Sequence, residues 1–155
     1  MEIRKATKKD IPIMVSFMMD LRKIEKSLSK RNEANNKTKN FLKKEFLEKR
    51  INNKKYVFLI GFENNTPIGI ATGWKEFISP VYKNENVGHV CDIIVGKKHQ
   101  NKGYGKDLLN ALEIEFKKMG LREVMLEVLI SNKKSSEFWK HCGFEDLYTE
   151  MRKDI

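Results

Sequence analysis

The chain has 155 residues, with 31 Lys+Arg against 21 Asp+Glu and a formal net charge of +10. That length suits one domain over residues 1–155, which buries about two thirds of its unfolded surface and needs no covalent staples. The 40% hydrophobic content and nine Phe exclude intrinsic disorder. Cys91 and Cys142 lie far apart without a CxxC, so neither a disulfide framework nor a zinc knuckle can be read. Three histidines without ligand spacing give no metal site. Asp20 ends the apolar run 11–19 without a cleavage pattern, and no stretch approaches the ~20 apolar residues of a membrane span. A cytoplasmic protein with no membrane partner is expected.

In chain order, residues 2–6 read as a strand. Thr7 with Asp10 three residues on, then Pro12, marks a helix start. Met14, Phe17, Met18, Leu21, Ile24 and Leu28 continue at helical spacing. Residues 32–39 form a polar break before a second helix over 41–51. Strands over 56–62 and 68–76, joined by a turn at 63–67, make a hairpin. An irregular loop, 77–86, holds Pro80 and Tyr82. The run 87–95 is a nearly unbroken apolar strand, 103–119 a helix, 124–130 another buried strand, and 131–141 a helix capped by Ser131 or Asn132. Gly143 closes that helix, and 144–152 supply the last strand or strands. This order predicts a three-layer α/β domain.

Charge is uneven: residues 21–55 carry 13 Lys+Arg and four Glu, a net +9 that accounts for nearly the whole excess. Such a stretch is either a pair of solvated helix faces or a field that concentrates an acidic partner.

The most informative segment runs from Val90 to Lys106, where a buried strand leads through a loop to glycines that open a helix. Residues 97–106 contain four lysines and no carboxylate. Backbone amides at a helix start, opened for close approach by Gly103 and Gly105, suit phosphate oxygens. A Walker A loop is excluded because Asp107 follows Lys106, and a dinucleotide fingerprint because position 108 is Leu.

The stretch Gln100-Asn101-Lys102-Gly103-Tyr104-Gly105 resembles the (Arg/Gln)-x-x-Gly-x-(Gly/Ala) motif of the GNAT superfamily of acyl-CoA-dependent N-acyltransferases. Ile93-Ile94-Val95, the strand and asparagine of 126–132, the Cys142-Gly143-Phe144 turn and residues 151–154 fit the same pattern. The resemblance is strong over 87–155 and only architectural before that. It implies a GNAT-like domain with a central, mostly antiparallel, splayed sheet flanked by helices. It also implies acetyl-CoA as co-substrate, without a metal. By the same resemblance Gln100, Asn101, Lys102, Gly103, Tyr104, Gly105 and Lys106 meet the pyrophosphate. Ile93, Ile94 and Val95 meet the pantetheine arm through their backbone, and Asn132 meets it too. Trp139 stands where many members carry the tyrosine that protonates the leaving thiolate.

A lysine-like amine has a pKa of ~10.4, so acyl transfer at neutral pH needs a base. Asp92 and Glu127 interrupt apolar strands, where desolvation would raise their pKa values toward a useful range. Both are candidate bases, with a structural hydrogen bond as the plainer alternative for each. An indole cannot supply a proton, which leaves Tyr148, His141, Cys142 or water for the thiolate. Tyr148 is carried as the catalytic candidate. His89 could line the acceptor side. The expected activity is direct acetyl transfer to a primary amine: a protein N-terminus, a lysine or a small molecule. The +9 stretch favours a neutral, acidic or protein acceptor, and exposed C-terminal edges a homodimer. The alternatives are an acyl-CoA-binding sensor without turnover and a basic nucleic-acid-binding module.

Overall fold

The computed structural model describes all residues except 30–34, 36, 82, 84 and 154. Strand β1 (Glu2–Lys5) leads through a single 3-10 turn into helix α1 (Ile11–Leu28). The Thr7–Asp10 pair stops the chain where the spacing predicted. Thr7 N and Oγ1 both donate to Asp10 Oδ2, at 2.7 and 2.8 Å, and Arg4 grips the same carboxylate through two 2.9 Å bonds. That fork-on-fork pairing, chiefly the Arg4 hydrogen bonds, holds Asp10 well below the usual carboxylate range despite its burial.

The predicted second helix divides in two. A short α2 (Thr38–Asn40) continues as a π-helix over Phe41–Glu48. Strands β2 (Tyr56–Glu63) and β3 (Thr66–Phe77) form the expected hairpin, but its loop is only Asn64-Asn65. Both asparagines sit at positive φ, 49° and 61°, the geometry of a two-residue primed turn. Thr66 and Pro67 therefore belong to the strand. Tyr82 of the next loop lies outside the described residues.

Strand β4 (Asn86–Val95), helix α3 (Tyr104–Lys118), strand β5 (Val124–Met125) and helix α4 (Lys133–His141) follow. The sheet order is β1-β2-β3-β4-β5, antiparallel throughout except for the parallel β4–β5 pair that α3 connects. One face packs Phe58, Ile60, Ile70 and Ile94 against α1 and the π-helix. The other packs Val57, Leu59, Ala71 and Val90 against Leu108, Leu112 and Phe116 of α3. Helices on both faces of one sheet give the expected three layers.

Two expectations fail at the C-terminal side. The strand read over 124–130 pairs with β4 only through Gly88↔Val124 and His89↔Met125. Residues 144–153 form no strand among the described residues, and Leu147, Tyr148 and Met151 stand exposed. After Met125 the chain parts from β4, although β4 continues to Val95, so residues 126–130 form no ladder with it. Asp154 lies outside the described residues.

Candidate active site

The site is built where β4 and β5 part. Past His89, β4 keeps β3 on one side and has no β5 partner on the other. A bulge distorts the strand there: Thr72 faces Asp92 and Gly73 faces Val90, leaving Cys91 as the extra residue. Bulges kink a strand and redirect its side chains. In this one Cys91 and Asp92, neighbours that alternation would send to opposite faces, line the same cleft of about 240 Å³ beside α1 and the π-helix.

Asp92 is buried, as expected, but it is not alone among apolar groups. Arg22 Nη2 donates to its Oδ1 at 2.9 Å, Thr72 Oγ1 donates to Oδ2 at 3.2 Å, and Cys91 Sγ lies 3.4 Å from Oδ2. Arg22 also donates to Glu25 at 2.5 Å. Burial works against the guanidinium charge, yet Asp92 and Glu25 hold its pKa above the ordinary arginine value. Burial, reinforced by the Asp92 charge, pushes the Cys91 thiol far up and keeps it neutral. The sequence reading missed Arg22, although it stands four residues after Met18 on the stripe that α1 turns toward the sheet.

Glu127 is a correction. It lies past the end of β5 and is exposed, so the desolvation argued for it does not operate. Tyr148 is also displaced from expectation: it is 65% exposed and belongs to neither apolar cluster. Trp139 is half-buried against the α3 face, its ring edge-on to Phe138 and Phe144 at 4.8 and 5.4 Å. With Gly143 at φ 92° and Phe144 N donating to Trp139 O at 3.1 Å, this is a Schellman stop with its apolar contact. His141 is an exposed helix-end residue and Cys142 a partly buried one. His89 stacks on Trp74 at 4.4 Å with Nδ1 2.5 Å from Glu76 Oε2.

The glycine loop leaves the end of β4 on the α3 side. Gln100 clips it in place, donating from Nε2 to Val95 O at 3.0 Å. Asn101 and Gly103 then take left-handed conformations, φ 62° and 84°. These two reversals set the start of α3, where the Tyr104 and Gly105 amides have no intrahelical acceptor and Lys106 N donates to Gly103 O at 2.9 Å. A Cβ at Gly103 would meet no atom within 4 Å, and one at Gly105 would meet only the Phe138 ring at ordinary contact. Gly103 is therefore open on its Cβ side, whereas Gly105 is set against Phe138. Lys97, Lys98, Lys102 and Lys106 surround this loop and form no salt bridge among the described residues. Lys134 Nζ adds a 3.5 Å contact to Gln100 Oε1 from the start of α4. The net positive field and the free amides suit a phosphorylated ligand.

Tyr104 braces the loop by donating its hydroxyl to Glu63 Oε1 at the hairpin tip. That bond lowers the pKa of Glu63 and raises that of Tyr104. His99 Nδ1 lies 3.0 Å from Glu63 Oε2 but out of line for a hydrogen bond. Asn132 is the N-cap of α4, accepting from Ser135 N at 3.2 Å, and only its side-chain amide NH₂ is left for another partner.

A central sheet that opens between two parallel strands, with a glycine loop and helix start at the opening, is the architecture of known acetyltransferases. A predicted acetyltransferase of Clostridium acetobutylicum, crystallised with acetyl-CoA, superposes with a TM-score of 0.83 at 22% identity, covering 99% of this chain and 95% of that one. The glucosamine-6-phosphate N-acetyltransferase of Arabidopsis thaliana superposes with a TM-score of 0.70 at 21% identity, covering 99% and 97%. The model of the Acetyltransferase (GNAT) family matches residues 19–144, and the chain belongs to that family. An uncharacterized N-acetyltransferase of Methanocaldococcus jannaschii is 34% identical over 89 residues, 57% of this chain and 39% of that protein. The match thus spans about two fifths of that relative's length. No helix among the described residues is long and apolar enough to cross a membrane.

Proposed function

We propose that the chain is an acetyl-CoA-dependent N-acetyltransferase that passes the acetyl group to a primary amine by direct attack in a ternary complex. The observation that carries this reading is the α3 N-terminus, its amides freed by Asn101 and Gly103, set beside the unpaired stretch of β4. Residues 100–106 would hold the pyrophosphate through main-chain amides and the lysines around them. The backbone of Ile93, Ile94 and Val95 would meet the pantetheine and present an N–H to the thioester oxygen as charge develops there. Asn132 would reach the pantetheine with its amide NH₂, and Trp139 would wall the thiol end.

Asp92 is the better placed of the two proposed bases, since it opens on the cleft that an amine would enter. Its bond to Arg22 holds Oδ1, and Oδ2, which has only the longer contacts from Thr72 Oγ1 and Cys91 Sγ at 3.2 and 3.4 Å, is the oxygen that would receive a proton, directly or through water. Glu127 would act only from the solvent side. The thiolate would take its proton from water or from Tyr148. The neutral Cys91 thiol supports direct attack, because a covalent acyl-enzyme needs a thiolate. The reading includes a single domain, a cytoplasmic location, and a homodimer that would cover Leu147, Tyr148 and Met151.

The test is thermal unfolding with acetyl-CoA, with desulfo-CoA and ATP as controls. A ligand at 100 times its dissociation constant adds ~2.7 kcal/mol. A shift with both CoA species, little with ATP, and thiol release on adding an amine support the reading. A shift without release from any amine favours an acyl-CoA sensor. No shift at millimolar acetyl-CoA refutes both.

A further inference from the structure

The cleft beside Asp92 has an unusual wall. In an α-helix, residues five apart are about 140° out of line. The π winding of Phe41–Glu48 closes its turns at i→i+5 and brings such residues over one another. Leu42 and Leu47 consequently both enter the core, at 7% and 0% exposure, while Phe41 and Phe46 reach the cleft, with Leu42 shared between the two. Phe46 is fixed from behind by an edge-on contact with Phe58 at 5.9 Å, and Phe41 is 54% exposed at the mouth.

Apart from Thr38, the polar groups that line the cleft are already paired. Arg22 donates to Glu25 and Asp92, Asp92 accepts from Arg22 and Thr72, and the Cys91 thiol is neutral. The two carboxylates and one guanidinium leave one negative charge, which suits an incoming ammonium and repels an acid. Among the described residues that line the cleft, Arg22 is the one cation and is already paired, and Thr38 adds a single further hydroxyl, so a phosphate or a set of sugar hydroxyls would be buried largely unpaired, which is unfavourable. The volume is below the ~300–1,000 Å³ of ordinary small-molecule sites, so the occupant is compact.

We propose that the acceptor is a compact primary amine whose remainder is uncharged and apolar, aryl or branched alkyl, seated on Phe41, Leu42 and Phe46 with its amino end toward Asp92. This rests on the N-acetyltransferase reading and selects, among neutral, acidic and protein acceptors, the neutral small molecule.

The experiment compares phenethylamine and isoamylamine with spermidine, glucosamine 6-phosphate, glutamate and a short peptide, reading kcat/KM by CoA thiol release. The apolar amines are expected to lead by tenfold or more. Phe41→Ser, at an exposed position, should lower kcat/KM for phenethylamine at least tenfold through KM, leaving the KM for acetyl-CoA and the melting temperature unchanged. A polyamine, sugar, acid or peptide as the best acceptor overturns the inference and leaves the acetyltransferase reading intact. If acetyl-CoA binds but no amine turns over, ligand-observed NMR with CoA present decides. Phenethylamine binding that Phe41→Ser abolishes supports the apolar seat, and no binding overturns it. If acetyl-CoA itself fails to bind, the reading falls and takes this inference with it.

Discussion

Gly103 and Gly120 offer a matched pair at the two ends of α3. Both hold left-handed backbone, φ 84° and 78°, and a Cβ at either would meet no atom within 4 Å. Alanine at each therefore brings conformational strain and no clash. Left-handed backbone costs an L-residue ~1–2 kcal/mol, and Gly→Ala returns ~0.4–1 by restricting the unfolded chain. Each variant should lose roughly 1 kcal/mol, or ~2–4 °C in melting temperature for a chain of this size. Ligand binding separates them, because only Gly103 sets the amides at the start of α3. If its distortion weakens acetyl-CoA tenfold, ligand at 100 times the wild-type dissociation constant adds ~1.4 kcal/mol instead of ~2.7. Differential scanning fluorimetry with and without acetyl-CoA should then show the ligand shift of Gly103→Ala about halved and that of Gly120→Ala intact. Equal ligand shifts in the two variants would refute a role for the α3 N-terminus in binding.

Arg22→Met strands Asp92, which is 3% exposed, without its cation. Losing one partner of a buried pair costs ~3–5 kcal/mol, and because Arg22 is itself 27% exposed we expect the lower end. Arg22→Met/Asp92→Asn should recover most of the loss, giving a coupling above ~1 kcal/mol in a double-mutant cycle; additive losses would show that the pair is not coupled. Asp10 titrates below its unfolded value, so its contribution is present above pH ~4 and disappears as pH falls through the folded pKa. Asp10→Asn should lower stability at pH 7 and flatten its decline below pH ~4, and an unaltered acid limb would contradict the Arg4–Asp10 assignment. Leu112→Ala empties a fully buried position between α3 and the sheet and should cost ~2–5 kcal/mol in urea unfolding without changing the slope.

The elements legible in the sequence were those whose partners are regular. The stripe of α1, the β2–β3 hairpin with its asparagine turn, β4 and α3 follow from periodicity and turn chemistry. What periodicity could not carry was anything set by a distant partner. The apolar run at 124–130 looks like a buried strand, but pairing beyond Met125 depends on where β4 goes after its bulge. The bulge at Cys91 has no local signature, and without it Asp92 cannot share a face with Cys91. Arg22 meets Asp92 across 70 positions of sequence. The π winding is equally silent, since Phe41, Leu42, Phe46 and Leu47 read well enough as an ordinary amphipathic helix. The glycine loop was readable because glycine at a left-handed position is a local demand. The cleft proposed for the acceptor was not, because it is assembled from α1, the π-helix and β4.

The parting of β4 from β5 has a consequence for how such a chain can change over time. Where a ligand is met by peptide groups, the residues that present them are free to vary so long as the strand keeps its course. Substitution at Ile93 or Val95 then alters the protein's identity on paper while leaving the same N–H and C=O groups in place. Constraint falls instead on a few conformational specialists, such as Gly103 and the bulge at Cys91, and on the side chains of the cleft proposed for the acceptor. A frame built this way can exchange the chemistry of that cleft through one helix while the opposite side of the opening stays as it was.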